Sequence, residues 1–112
     1  MRTPTISIIT VNFNNNEGLK KTLRSIEVQS YTSYEHIIID ADSNDGSQET
    51  IKKYSEENTH LTYWVSEKDK GIYDGMNKGI RQAKGEYLYF LNSGDCLQGN
   101  ILKDIPFDGT KY

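Results

Sequence analysis

The sequence predicts an α/β fold: a doubly wound, mostly parallel sheet with flanking helices. Short β-branched apolar runs alternate along the chain with amphipathic stretches of helical period, the pattern of right-handed βαβ units. The run HIIID, residues 36–40, is also apolar without alternation up to its terminal acid, as in a strand covered on both faces.

The elements follow in order. Ile6, Ile8, Ile9 and Val11, bounded by Pro4 and a cluster of asparagines, form the first strand. From Glu17 to about Ser30, Leu19, Leu23 and Ile26 recur at helical spacing with Lys20, Lys21, Arg24 and Glu27 on the other faces. Asn14 followed three residues later by Glu17 predicts a capping box at its start. HIIID is the second strand. Residues 46–57 form a helix burying Ile51 and Tyr54, with Asp45 and Ser47 capping it. Leu61 to Val65 is the third strand. A third helix spans Tyr73 to Lys84 with Met76, Ile80 and Ala83 facing in and Gly85 just past its end. Tyr87 to Leu91 is the fourth strand.

The expected strand order is 3-2-1-4, which puts a topological switch point between the first and fourth strands. Ligands in such sheets bind beyond the carboxyl ends there. Beyond Asp95 only Ile101, Leu102, Ile105 and Phe107 remain to be buried, so the chain reads as one truncated domain over residues 1–112. An under-covered face near residues 97–112 would favour self-association.

With 112 residues, 13 basic against 16 acidic, the net charge of −3 gives no sign of nucleic acid or an anionic membrane as partner. The one cysteine, Cys96, reads as a small buried filler, and the absence of any Asn-x-Ser/Thr sequon suits a reducing compartment such as the cytoplasm. No stretch reaches the roughly 18 apolar residues of a membrane span. His36 and His60 have no partners at metal spacing and read as structural or exposed.

Four segments carry candidate chemistry. In IIIDADSNDGS, residues 37–47, Asp40, Asp42 and Asn44 imitate a calcium loop, but Asp45 stands where that loop requires its glycine at position 6. Asp40 ends a buried strand and needs donors from local backbone or from a ligand such as a nucleobase imide. In SEKDKGIYDGMNKG, residues 66–79, Asp69, Asp74 and Asn77 cluster at a helix start, where polar groups can serve a ribose or sugar phosphate. Gly79 suits close packing of that helix on the sheet. After the first strand comes VNFNNN, amides suited to a base or ribose, with neither a P-loop nor a G-x-G-x-x-G phosphate cradle. Phosphate charge then calls for a cation, and Asp95 in LNSGD is placed to hold one.

Taken in order, TVNFNN, IIIDADSNDGS, SEKDKGIYDGMNKGI and GEYLYFLNSGD resemble the family 2 glycosyltransferases of GT-A fold, over about residues 5–96. The variant is similar to enzymes of bacterial surface-polysaccharide synthesis. The resemblance implies a Rossmann-like nucleotide-sugar-binding half, with a UDP-sugar as the common donor. It puts the loop after the first strand, here Val11, Asn12 and Asn14, and Asp40 at the nucleobase and ribose, and counts Asp42, Asp69, Asp74, Asn77 and Ser93 among the nucleotide-sugar-binding residues. It implies Mn²⁺ or Mg²⁺ on the diphosphate, held through Asp95. It further implies inverting transfer to a saccharide or lipid-linked acceptor, with the general base beyond residue 112 and the full-length protein at the inner face of the membrane. This chain departs from the pattern twice. Its D-x-D-like quartet, Asn92 to Asp95, has one acid, and Gly75-Met76-Asn77 replaces a common A-R-N, leaving Lys70 or Lys78 as substitutes for the arginine.

Rival readings are weaker. A receiver-like signalling module needs an acidic pair after the first strand, where this chain has asparagines. A nucleotidyltransferase needs a basic glycine-rich loop there. A non-catalytic nucleotide-binding or interaction domain is the remaining alternative, since fold does not fix function.

Overall fold

The computed structural model describes residues 3–105. Its strands are β1 (Ile6–Asn12), β2 (Tyr34–Asp40), β3 (Leu61–Ser66) and β4 (Tyr87–Phe90), and its helices are α1 (Asn16–Glu27), α2 (Ser47–Glu57) and α3 (Ile72–Gln82). The strands pair in parallel in the order β3-β2-β1-β4, as the sequence predicts. β1 and β2, the two inner strands, are buried at every position. That explains their unbroken runs of β-branched residues.

On one face Leu19, Leu23 and Ile26 of α1 and Ile51 and Tyr54 of α2 pack against Ile6, Ile8 and Ile38. Leu97 and Leu102, the latter in a 3₁₀ turn at Leu102–Asp104, join the same cluster. The described part of the tail therefore covers a face that the sequence reading left bare; Phe107 lies outside the described residues. Among the described residues no helix is long and apolar enough to cross a membrane.

Helix α3 packs on the other face, over β1 and β2, in a way its apolar residues do not announce. The buried positions are Gly75 and Gly79, while Ile80 is 42% exposed and Met76 only half-buried. A Cβ on Gly79 would stand 2.5 Å from Ile9 Cγ2, and one on Gly75 2.9 Å from Val11 Cγ1. The chain then returns so close to β1 that a Cβ on Gly85 would lie 2.6 Å from the Ser7 nitrogen. Three glycines thus track one row of β1 side chains, Val11, Ile9 and Ser7, and the larger α3 residues flank that contact. Gly85 is part of this approach and does not cap the helix, whose C-cap is Ala83.

Other expectations need smaller corrections. Asn15, not Asn14, caps α1, its Oδ1 accepting the Gly18 N–H at 3.1 Å, because Asn14 turns into the left-handed region at φ 45°. The helix ends at Glu27, short of Ser30. The N-cap of α2 is Gly46; Asp45 accepts the Ser47 N–H at 3.1 Å and hydroxyl at 2.6 Å, and those bonds hold its carboxyl below the usual range. Cys96 is exposed, not buried.

His36 is fully buried in β2, with Nε2 2.8 Å from Thr10 Oγ1 and Nδ1 3.1 Å from the Tyr54 hydroxyl. Desolvation lowers its pKa from 6.5 to about 3, so the folded imidazole stays neutral where an unfolded one takes up a proton. Its contribution to stability is therefore complete above pH 6.5 and drains as the pH falls from there toward 3. Urea midpoints should fall between pH 7 and 5 by the equivalent of about 2 kcal/mol. His36→Gln should flatten that dependence; an unchanged slope would show that other groups set it.

Candidate functional site: a cleft at the carboxyl ends of the strands

Three of the strands, β1, β2 and β3, end around one buried carboxylate. Asp40 Oδ1 accepts hydrogen bonds from Asn12 Nδ2 and Ser43 Oγ, both at 2.7 Å, and Oδ2 accepts from the Ser43 N–H at 2.9 Å and Ser66 Oγ at 2.7 Å. Four donors fill the lone-pair positions of a carboxylate, which is how Asp40 stays buried at 0% exposure. The network extends outward. Ser93 Oγ, beyond β4, donates to Asn12 Oδ1 at 2.6 Å, and the Asn14 N–H donates to Ser43 Oγ at 2.8 Å. The Asn44 N–H reaches Asn14 Oδ1 at 2.8 Å, which ties the loops after β1 and β2 together.

Above this floor opens a cleft of about 800 Å³. Val11, Phe13, Asn14 and Asn15 line it from the β1 end, and Ala41, Asp42 and Asn44 from the β2 end. The loop after β3 contributes Lys68, Asp69 and Gly71, α3 contributes Ile72, and the segment after β4 contributes Asn92 and Ser93. Phe13 is 63% exposed, an aromatic ring left uncovered at the cleft. Asp69 accepts the Gly71 N–H through Oδ1 at 3.0 Å, but its Oδ2 is buried without a hydrogen-bond partner among the described residues. Such an oxygen is costly unless a ligand supplies a donor.

The sequence of this region matches the profile of "Glycosyl transferase family 2" over residues 7–105. The chain belongs to glycosyl transferase family 2. An uncharacterised glycosyltransferase of Mycobacterium tuberculosis is 42% identical over 97 residues, covering 86% of this chain and 36% of the relative. The poly(ribitol-phosphate) β-N-acetylglucosaminyltransferase TarP of Staphylococcus aureus is 35% identical over 105 residues, covering 89% and 31%. Two solved structures share the fold. A Pyrobaculum calidifontis mannosyltransferase in complex with GDP-Man and Mn²⁺ superposes with TM-score 0.79 at 21% identity, over 89% of this chain and 30% of its own. The S. aureus TarS 1–349 structure with UDP-GlcNAc gives 0.79 at 24%, over 89% and 29%. The chain thus spans about a third of the length of the curated relatives it matches.

For this family 2 domain, the structure brings Val11, Asn14, Asp42, Asp69 and Ser93 together in the cleft. Asn12 and Asp40 lie beneath it, saturated by their neighbours. Asp74 and Asn77 do not line it: Asp74 Oδ2 accepts the Lys70 N–H at 3.0 Å, and Asn77 is exposed on α3. Of the two lysines near the place of the missing arginine, Lys78 is bound to Glu67 at 3.2 Å and lies 3.9 Å from Asp74. Lys70 does not line the cleft, whereas Lys68 does.

Asp95 sits beside the cleft rather than in its lining, at the end of a tight turn. Gly94 adopts φ 98°, and Thr22 of α1 accepts the Gly94 N–H at 3.0 Å and donates to the Asp95 carbonyl at 2.7 Å. One carboxylate oxygen of Asp95 accepts the Asn92 N–H at 3.2 Å; the other accepts nothing within the described protein. Among the described residues there is no cluster of three or more His, Cys, Asp or Glu able to hold a metal. This donor set fits a divalent cation that arrives on a nucleotide's phosphates and keeps part of its water shell. A resident ion would need more ligands.

Sequence reasoning missed Phe13, Lys68 and Asn92, which lie in loops without periodicity; the placement of Phe13 among polar amides in VNFNNN was the one available signal. At the opposite end of the sheet a second depression of about 580 Å³ includes Glu35. Its carboxylate is engaged by Ser7 Oγ, the Lys84 N–H and Thr62 Oγ1 at 2.6, 2.6 and 2.8 Å, as a structural group would be.

Replacing Asp40 with Asn should cost about 3 kcal/mol of stability, because it removes the charge from hydrogen bonds inside the hub. Asp42→Asn, at an exposed left-handed position that asparagine tolerates, should stay within about 0.5 kcal/mol. Urea denaturation of both variants checks the contrast; equal losses would contradict the hub.

Proposed function

We propose that this chain is the nucleotide-sugar-binding half of an inverting glycosyltransferase acting in cell-surface polysaccharide synthesis, with a saccharide or lipid-linked acceptor held by a further half. The observation that carries the reading is the cleft: a cavity at the switch point of a parallel sheet, with an uncovered aromatic ring, several side-chain amides and a carboxylate oxygen that has no partner among the described residues. Complexes of two structural neighbours with GDP-Man and with UDP-GlcNAc support a nucleotide sugar as ligand class and leave the base open. A UDP-sugar is the donor we favour, and the cytoplasmic side of a membrane the place of action.

In this reading each group has a task. Phe13 stacks on the base. The side-chain amide of Asn44 and the Nδ2 of Asn14, which make no hydrogen bond among the described residues, read its edge together with Asp42. Ser93, Asn12 and Asp40 hold the strand ends in register beneath the nucleoside. Asp69 Oδ2 accepts a hydroxyl of the sugar or ribose, which gives that buried oxygen its missing donor. Asp74 and Asn77 support the loop and helix that present Asp69. Asp95 would hold Mn²⁺ or Mg²⁺, which would supply positive charge to offset that of the diphosphate. Inversion requires an acceptor hydroxyl to attack from the face opposite the diphosphate, with a carboxylate positioned to take its proton. We assign that base to the further half.

Calorimetric titration with UDP, ADP and GDP, with and without Mn²⁺, tests the reading. UDP should bind in a metal-dependent manner, and Asp95→Asn should weaken it by at least about tenfold, the loss of one charged ligand. Failure of all three nucleotides to bind a chain shown to be folded would overturn the reading for this chain.

A further inference from the structure

The charges around the cleft pose a problem for the ligand proposed above. A nucleoside diphosphate brings at least two negative charges, yet the ionisable residues lining the cleft are Asp42, Asp69 and Lys68, with Asp95 alongside. One cation faces three carboxylates. A divalent ion at Asp95 offsets part of this imbalance at the β4 end and leaves the β3 side with Asp69 alone. In a cleft partly shielded from water, uncompensated like charge of this kind is worth several-fold in affinity per group.

Lys68 is presented for this purpose by a braced loop. Its carbonyl accepts Lys78 Nζ at 3.2 Å, and Lys78, 16% exposed, is itself paired with Glu67 at 3.2 Å. Two residues on, the Lys70 N–H is held by Asp74 and the Gly71 N–H by Asp69, each at 3.0 Å. The backbone on both sides of Lys68 is thereby fixed to α3. Its own ammonium makes no ion pair or hydrogen bond among the described residues, in contrast to Lys78. The loop thus spends one lysine on its own structure and leaves the other free at the cleft.

Resting on the nucleotide-sugar reading, we infer that Lys68 is the protein's cation for the diphosphate of the donor, binding it from the β3 side while Asp95 and its metal act from the β4 side. A compact ammonium on a flexible stem suits a phosphate oxygen as a point charge. It also suits the reaction, because the diphosphate gains charge as the glycosidic bond breaks and a cation already in place favours that change. Lys68 would then be a specificity determinant: it favours diphosphates over the bare nucleoside without reading the base.

The test compares wild type, Lys68→Gln, Lys68→Arg and, as a remote control on α2, Lys53→Gln. Each is titrated with UDP and with GDP by calorimetry at two salt concentrations, and with uridine and guanosine by NMR, which reads millimolar binding. Lys68→Gln should weaken the bound diphosphate by about 10- to 100-fold, the effect of one charge-assisted contact. It should also reduce the salt dependence of binding and leave the nucleoside titration unchanged. Lys68→Arg should restore most of the affinity, and Lys53→Gln should match wild type. Diphosphate binding unaltered in Lys68→Gln would overturn the role of Lys68 while leaving the nucleotide reading intact. An equal loss for nucleoside and diphosphate would assign Lys68 to the base or ribose instead. Absence of all binding in folded wild type would overturn the nucleotide reading along with it.

Discussion

The buried carboxylate of Asp40 is the interaction on which the rest of this structure depends. A charged group at 0% exposure is tolerable only when its lone pairs are filled, and here they are filled from two neighbouring strands, β1 and β3, and the loop after β2. That requirement sets how the ends of β1, β2 and β3 meet and draws in Ser93 beyond β4 through Asn12. The floor of the cleft is therefore fully hydrogen-bonded, while most of its lining comes from the loops that follow the strands. Saturated groups lie below, and groups with free hydrogen-bonding atoms, such as Asp69, face the cleft.

The opposite face of the sheet obeys a steric constraint instead. Gly75, Gly79 and Gly85 allow α3 and the return to β4 to lie directly on Val11, Ile9 and Ser7. Any side chain at those positions would push α3 outward, and the loop carrying Lys68 and Asp69 is anchored to that helix by Lys78 and Asp74. A packing requirement on the α3 face of the sheet, which reaches the cleft at Val11, thus bears on the placement of its β3 wall.

Much of the fold was legible because its central strands are covered on both sides, which imposes runs such as ISII and HIIID that no surface element needs. The facing of α3 was not legible from apolar periodicity, since its contact surface is made of glycine, and Ile80 at the matching helical spacing is left 42% exposed. The cleft's location followed from topology alone. Its individual members followed only where a residue type stood out, as Asp69 did. Lys68 resembles any surface lysine until the pairing of Lys78 reveals which of the two is free. Asp40 drew attention by its chemistry, but a sequence cannot tell whether a ligand or the protein supplies its donors. Geometry gives that answer.

The central claim is that the carboxyl-end cleft, and not another surface of this family 2 domain, takes the nucleotide. Mapping UDP-induced amide shifts on the ¹⁵N-labelled chain in the presence of Mg²⁺ tests it most directly. The account predicts shifts concentrated at residues 11–15, 41–44, 68–72 and 92–95, with the opposite depression at residues 32–35 and 59–62 unchanged. Shifts centred on that opposite end would contradict it.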